Sequence, residues 1–192
     1  IKYLCGAGYY SESLEYYNKI NPEIAFNPSI QNEVVKSYME LNKPDSARIY
    51  LTARLLSERG DKIVLNCMMA ETYITEELED SAFVFLDRAM KSYKERAKNY
   101  QKKGKEPILP NCFLSPCYSF ADLLWKKGKI QQASQYYMIV EPLMKEMVKT
   151  PVRMELQIKA LTNFSSFCRE TKQYEKALDL LARRDSVLQT YL

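Results

Sequence analysis

The chain has 192 residues, of which 46% are hydrophobic and 27% are charged, and its formal net charge is +4. This balance is that of a soluble globular protein, excludes a disordered chain, and is too weakly basic to require nucleic acid or an anionic membrane as partner. Because the chain has no histidine, it lacks the commonest general base and metal ligand, and we expect no enzyme activity, no cofactor and no bound metal.

Apolar residues recur with helical spacing along the whole chain, and the scarcity of glycine and proline favours helices. Ten helices are predicted, over residues 1–6, 11–20, 29–41, 45–58, 62–76, 79–103, 115–127, 130–148, 152–171 and 174–190. No apolar run approaches the roughly 20 residues that cross a bilayer. The chain starts inside a predicted helix, so we expect it to be a fragment of a longer protein without membrane contact of its own.

A small residue recurs at one place in the second helix of each helix pair. The five copies are Ser13, Ala47, Ala82, Ala133 and Ala177. Their successive intervals are 34, 35, 51 and 44 residues, so the last two contain insertions. A helix pair exposes an apolar face that only a neighbouring pair can cover, and a repeat of this kind therefore predicts a stacked array.

Large residues match between the copies as well, and in the last copy they are Leu161, Phe164, Cys168, Tyr174 and Leu181. On these positions and the 34-residue interval, the chain resembles the tetratricopeptide repeat (TPR) family, and it is similar to divergent arrays of bacterial signalling and regulatory proteins. The resemblance implies an all-α, right-handed superhelix (α-solenoid) of stacked antiparallel helix pairs. It implies one domain over 1–192, with units near 1–27, 28–61, 62–113, 114–157 and 158–192.

The resemblance also implies a binding site, because in this family the first helix of each unit lines a concave groove. The candidate groove residues are Asn32, Lys36, Glu71, Tyr118, Asp122, Trp125, Lys159, Ser166 and Arg169, with Met39, Cys67, Ile74 and Thr162 at the remaining positions. The family's carboxylate clamp is not reproduced, since Glu71 and Asp122 would repel a carboxylate. For Trp125, the alternative is packing against the long helix that precedes it.

Three other groups of residues have a structural and a functional interpretation. Acidic residues crowd the turn at Glu76, Glu77, Glu79 and Asp80, where the dipole of the following helix explains them better than a bound cation. The five cysteines favour a reducing, cytoplasmic compartment, with a periplasmic sensor region as the alternative. Of these, Cys112 and Cys117 are close enough in sequence for a disulfide, whereas Cys5, Cys67 and Cys168 are expected in the core.

The prediction for function is a non-catalytic scaffold that binds a protein or peptide segment. In a more specific form, the chain is the sensory or regulatory region of a bacterial histidine kinase or transcriptional regulator. The alternative is a nucleic-acid-binding helical repeat, in which the basic stretch from Lys91 to Lys105 contacts phosphates. The sequence predicts no partner by name and no oligomeric state.

Overall fold

The structure is a computed structural model that describes residues 1–21, 27–57, 60–105, 108–145 and 151–190. All regular secondary structure in these ranges is helical, which confirms the all-α prediction. The α-helices are α1 (Lys2–Gly6), α2 (Tyr10–Tyr17), α3 (Pro28–Glu40), α4 (Pro44–Leu56), α5 (Lys62–Thr75), α6 (Glu79–Lys102), α7 (Leu114–Lys126), α8 (Ile130–Lys145), α9 (Pro151–Glu170) and α10 (Tyr174–Gln189). A short 3-10 helix, Asn111–Phe113, leads into α7.

Observed helix ends lie within three residues of the predicted ends. The predicted extension of α8 over 146–148 falls outside the described residues. None of the described helices combines the length and the apolar composition needed to span a membrane.

Consecutive helices pair as hairpins, and the contacts divide the chain into two compact units, Ile1–Ile108 and Leu109–Leu192. The first unit holds the pairs α1–α2, α3–α4 and α5–α6, and the second holds α7–α8 and α9–α10. Inside each unit the first helices are also neighbours, since α3 contacts both α1 and α5, and α7 contacts α9. The hairpin repeat is thus observed, while a single domain over 1–192 stays a prediction.

The five turns inside the hairpins have the same backbone geometry. In each, one residue has a positive φ between 54° and 83°, and these residues are Gly8, Asn42, Glu77, Gly128 and Lys172. The next residue donates its N–H to the carbonyl oxygen five residues earlier, at 2.8 to 2.9 Å, which is the hydrogen bond of a Schellman helix end. Because each left-handed residue precedes the small residue of its hairpin by five positions, turns and small residues share one register.

The small residues lie where the two helices of a hairpin meet the core. Ser13, Ala47, Ala82 and Ala133 have no exposed surface, and Ala177 retains 6%. Helices can approach closely only where side chains are small, so these positions set the packing of each hairpin.

Each unit has its own core. In the first unit, Val35 of α3, Leu51 of α4 and Met69 of α5 pack together. In the second unit the core is aromatic, and the rings of Tyr137 and Phe164 stack with their centroids 4.6 Å apart. The aromatic core connects α8 to α9, and α9 is the helix that carries the candidate site residues Lys159, Ser166 and Arg169.

Candidate functional site

The first unit carries three candidate residues on neighbouring first helices. Asn32 and Lys36 are exposed one turn apart on α3, and Glu71 is half-buried on α5. Of the remaining positions, Cys67 is buried, at 2% exposure, while Met39 and Ile74 are half-buried. Of the candidate residues in this unit, the exposed polar side chains are those of Asn32 and Lys36 on α3, while Glu71 is partly accessible.

In the second unit the candidate residues lie on α7 and α9, which are side by side. On α9, Lys159 and Arg169 are exposed and Ser166 is half-buried. On α7, Trp125 is half-buried, and its indole Nε1 donates to Oε2 of Glu170 at 3.0 Å. This gives a surface with two cations, one partly accessible indole and the exposed carboxylate of Glu170, which accepts the hydrogen bond of the indole.

Trp125 is held by α9, while its packing against the long helix before it stays a prediction. Its ring meets the ring of Phe167 edge to face, with centroids 5.8 Å apart. Together with the bond to Glu170, this contact fixes the indole in one orientation. A fixed, partly exposed aromatic ring is well suited to binding because little side-chain entropy is lost on association.

Beneath this surface lies a group of four polar side chains, Tyr118, Asp122, Tyr137 and Asn163, which we call the Asp122 cluster. The Tyr137 hydroxyl donates to Oδ1 of Asp122. The Asn163 amide nitrogen donates to Oδ2 of Asp122 at 2.5 Å and to the Tyr118 hydroxyl at 2.7 Å. The cluster thereby connects α7, α8 and α9 through hydrogen bonds.

The surroundings of the Asp122 cluster keep both phenols protonated. Burial raises the pKa of Tyr118, and the Asp122 carboxylate raises it further. Burial likewise raises the pKa of Tyr137, with additional contributions from the hydrogen bond to Asp122 and from its charge. A phenolate beside a carboxylate would be repelled, so these tyrosines act as hydrogen-bonding groups and not as acids.

Two of the predicted groove residues consequently have packing contacts in the structure. Tyr118 is only 2% exposed, so its ring is not available as a surface anchor. Asp122 is half-buried and both of its oxygens accept hydrogen bonds, which turns its carboxylate inward. Whether the remaining residues bind a partner stays a prediction.

Sequence reasoning missed the partners of these two residues. Asn163, Phe167 and Glu170 follow one another at helical spacing on α9, and Asn163 and Glu170 contact Asp122 and Trp125 respectively. No local pattern in the sequence indicated these contacts, because the partners are 41 residues apart for Asp122 and Asn163 and 45 residues apart for Trp125 and Glu170.

The other predicted groups show ordinary structural contacts. Glu76 forms an ion pair with Arg48, and Glu79 and Asp80 lie in the first turn of α6, where the helix dipole favours them. All five cysteines are thiols, and Cys5, Cys67 and Cys168 are buried. Among the described residues, no three Cys, Asp or Glu side chains are grouped closely enough to hold a metal ion.

No protein-family model matches the chain, and no curated protein does. Among solved structures, the chain is similar to "MamA MSR-1 C2", a TPR-containing protein, with a TM-score of 0.55. The match covers 98% of this chain and 92% of that chain at 14% sequence identity. The fold is a TPR-like helical repeat. At 14% sequence identity, the similarity shows the fold of this protein and not its function.

Proposed function

We propose that the chain is a non-catalytic scaffold that binds a protein or peptide segment on the exposed faces of its first helices. The observation that supports this most directly is the fixed indole of Trp125, partly exposed beside the helix that carries Lys159 and Arg169. The TPR-like fold agrees with such a role because, within each unit, it presents the first helices of successive hairpins next to one another.

The charges on this surface favour a segment that carries carboxylates. In the second unit Asp122 is occupied inside its cluster, so the exposed charges at the candidate positions are those of Lys159 and Arg169. In the first unit Lys36 adds a further exposed cation. An apolar side chain against Trp125, with carboxylates near the two cations of α9, would match the chemistry of the second unit.

The Asp122 cluster contributes to this function by fixing α7 against α9 before a partner arrives. Its hydrogen bonds connect three helices, so the positions of Trp125 and Arg169 relative to each other are already set. A surface that is rigid in the free protein loses less entropy when it binds.

The test is a peptide selection against the folded chain, followed by fluorescence anisotropy titration of the selected peptide. We expect K159E/R169E to weaken binding by about tenfold or more, because each substitution replaces an attractive contact with a repulsive one. The matched control K126E/K172E changes the net charge equally at two exposed lysines outside the candidate positions, and it should bind normally. Unchanged binding by K159E/R169E would place the partner elsewhere.

We further propose that the chain is the regulatory region of a signalling protein, in which an occupied first-helix surface biases an output domain. This narrower proposal rests only on the resemblance to arrays of bacterial regulators that the sequence suggests. Reading the complete open reading frame tests it. A kinase, a DNA-binding domain or a membrane span in the same chain is expected, and a frame with none of these would contradict the proposal.

A further inference from the structure

The outer face of α6 carries a regular row of lysines. Lys91, Lys94, Lys98 and Lys102 follow one another at intervals of three or four residues and are all exposed, and we call them the lysine ladder. Residues at these intervals share one face of an α-helix. At 1.5 Å per residue, the ladder extends over about 16 Å.

Most of the charge in the ladder is uncompensated. Lys91 pairs with Asp87 at 2.9 Å, but Lys94, Lys98 and Lys102 form no ion pair within the described residues. The stretch 91–105 holds seven basic residues and one acid, Glu95, a larger surplus than the +4 of the entire chain. The rest of the protein is on balance acidic, so the positive charge is localised on this part of α6.

The one arginine of the stretch is used for structure. Arg96 donates to Oδ1 of Asp61 at 2.9 Å, and Asp61 also caps the start of α5 by accepting from the N–H of Ile63. This contact fixes α6 against the beginning of α5. The ladder is thereby presented on a helix whose orientation within the first unit is set.

Two exposed apolar residues, Phe83 and Val84, continue the same face towards the start of α6. Val84 lies two turns before Lys91, and it is 42% exposed, while the adjacent Phe83 is 53% exposed. From Val84 to Lys102 the face extends over about 27 Å at the helical rise. Asp87 lies on this face between Val84 and Lys91 and is paired with Lys91, and beyond it the face is cationic. This arrangement matches an amphipathic chain with an apolar residue at one end and acids along its length.

We propose that this face of α6 is a second binding surface, which takes an acidic amphipathic segment of a protein partner. Carboxylates spaced by one helical turn would lie along the lysine ladder, and an apolar side chain would contact Phe83 and Val84. The surface lies on a second helix of a hairpin, so the inference is independent of the first-helix surface and of its partner.

Protein fits this face better than nucleic acid for three reasons. The ladder consists of lysines, whereas of the two arginines of α6, the residue type suited to bidentate phosphate contacts, Arg96 is engaged with Asp61 and Arg88 lies over the ring of Phe85. Tyr100 lies nine residues after Lys91, on the opposite side of the helix, so it cannot offer a stacking platform beside the ladder. The exposed apolar pair has no counterpart on a phosphate backbone.

The experiment uses the whole chain and a fluorescein-labelled helical peptide with two leucines at one end and glutamates at every third or fourth position, made in both chain directions. A scrambled peptide of equal composition, a single-stranded oligonucleotide, a DNA duplex and phosphatidylserine-containing vesicles are titrated in parallel, each at low and high sodium chloride. We expect salt-sensitive binding of a patterned peptide, tighter than that of any other probe.

Three sets of variants locate the binding. K94E/K98E/K102E should weaken peptide binding by about tenfold or more, because three attractive charges become repulsive. The control K19E/K62E/K126E makes the same change in net charge at exposed lysines outside the ladder, and should alter binding less than about twofold. F83A/V84A should weaken binding with the salt dependence unchanged. If circular dichroism shows lost helix in the first variant, K94Q/K98Q/K102Q decides in its place.

Three results would overturn the proposal. Equal weakening by the ladder variant and by the control would mean that only net charge attracts the peptide. Equal binding of the scrambled and patterned peptides would remove the role of the helical spacing. Tighter binding of an oligonucleotide or of the vesicles would identify the ladder as a site for phosphates and not for an acidic protein.

Discussion

Asp122 is a carboxylate whose hydrogen bonds come from neutral groups. The hydroxyl of Tyr137 and the amide of Asn163 approach its two oxygens, and the structure shows no ion pair to Asp122 within the described residues. A polar group that is removed from water costs free energy unless its hydrogen bonds are replaced, so each donor to Asp122 stabilises the fold. The cluster is therefore most sensitive to changes that delete one donor and keep the acceptor.

For Y137F we expect a loss of about 2 kcal/mol in the free energy of unfolding at neutral pH, because Asp122 loses a donor while the stacked ring stays in place. Urea denaturation measures this difference. The exposed Tyr3, at 93% exposure, provides the matched control Y3F, which should unfold like the wild type.

The stability difference between the wild type and Y137F should also depend on pH in the alkaline range. Burial raises the pKa of Tyr137 in the folded state, whereas a tyrosine in the unfolded chain has a pKa of about 10. The stability that comes from this shift is complete below that pH and is lost as the pH rises towards the folded pKa. Wild type should therefore lose its advantage over Y137F above about pH 10. An advantage that stays constant from neutral to alkaline pH would contradict the assignment.

The candidate site could be predicted only in part from the sequence, and Tyr118 shows why. Its place in the repeat puts it on a first helix, which the structure confirms. The hydrogen-bond partner of its hydroxyl, Asn163, is 45 residues away in the chain, so no local pattern around Tyr118 indicates this contact. Lys36, Lys159 and Arg169 remain exposed as expected, because long charged side chains extend into solvent wherever their helix face is open.

At the scale of the element, the five hairpin turns repeat one conformation with different residues. Glycine occupies the left-handed position in two of them, while Asn42, Glu77 and Lys172 occupy it in the others. A side chain with a Cβ atom is strained in this region, at a cost of about 1 kcal/mol or somewhat more. The turns without glycine are therefore locally less favourable than those that have it.

Exchanging residues at this position should change stability in opposite directions. K172G removes the strain at an exposed residue and should stabilise the protein by up to about 1 kcal/mol, whereas G128A introduces strain and should destabilise it by about the same amount. Urea denaturation of both variants tests this pair. Changes of the same sign in the two variants would mean that the two turns do not share the left-handed geometry.

Helix positions were predictable because the spacing of apolar residues and the placement of small residues and of helix-terminating glycine and proline determine local backbone structure. Gly128 indicated a helix end in advance, since glycine adopts positive φ without strain, and α7 ends there. Lys172 gave no such signal, because lysine has no preference for this conformation. The repeat register marks its turn, because Lys172 precedes Ala177 by the same five residues by which Gly128 precedes Ala133.

At the scale of the whole molecule, substituting a buried small residue in each compact unit measures how far a packing defect destabilises the chain. Ala82 lies in the first unit and Ala177 in the second. In a repeat protein each hairpin contacts mainly its neighbours, so a local disturbance is felt most strongly nearby.

We expect A82L and A177L each to lose about 1 to 3 kcal/mol through overpacking. Hydrogen exchange should rise mainly in the unit that carries the substitution. The exposed alanines Ala53 and Ala182 provide the controls A53L and A182L, which should leave stability and exchange unchanged. A uniform rise in exchange along the chain in both core variants would favour the single cooperative domain predicted from the sequence.

The shared turn geometry makes each stretch from one left-handed residue to the next a closed structural module. Gly8 to Asn42 and Asn42 to Glu77 begin and end with the same backbone conformation and the same hydrogen bond. A duplicated stretch would thus join its neighbours without a new kind of junction. Duplication or deletion of such a stretch would leave the turn conformation at both of its ends unchanged, so the four stretches between the five turns are the units in which we expect the array to gain or lose length.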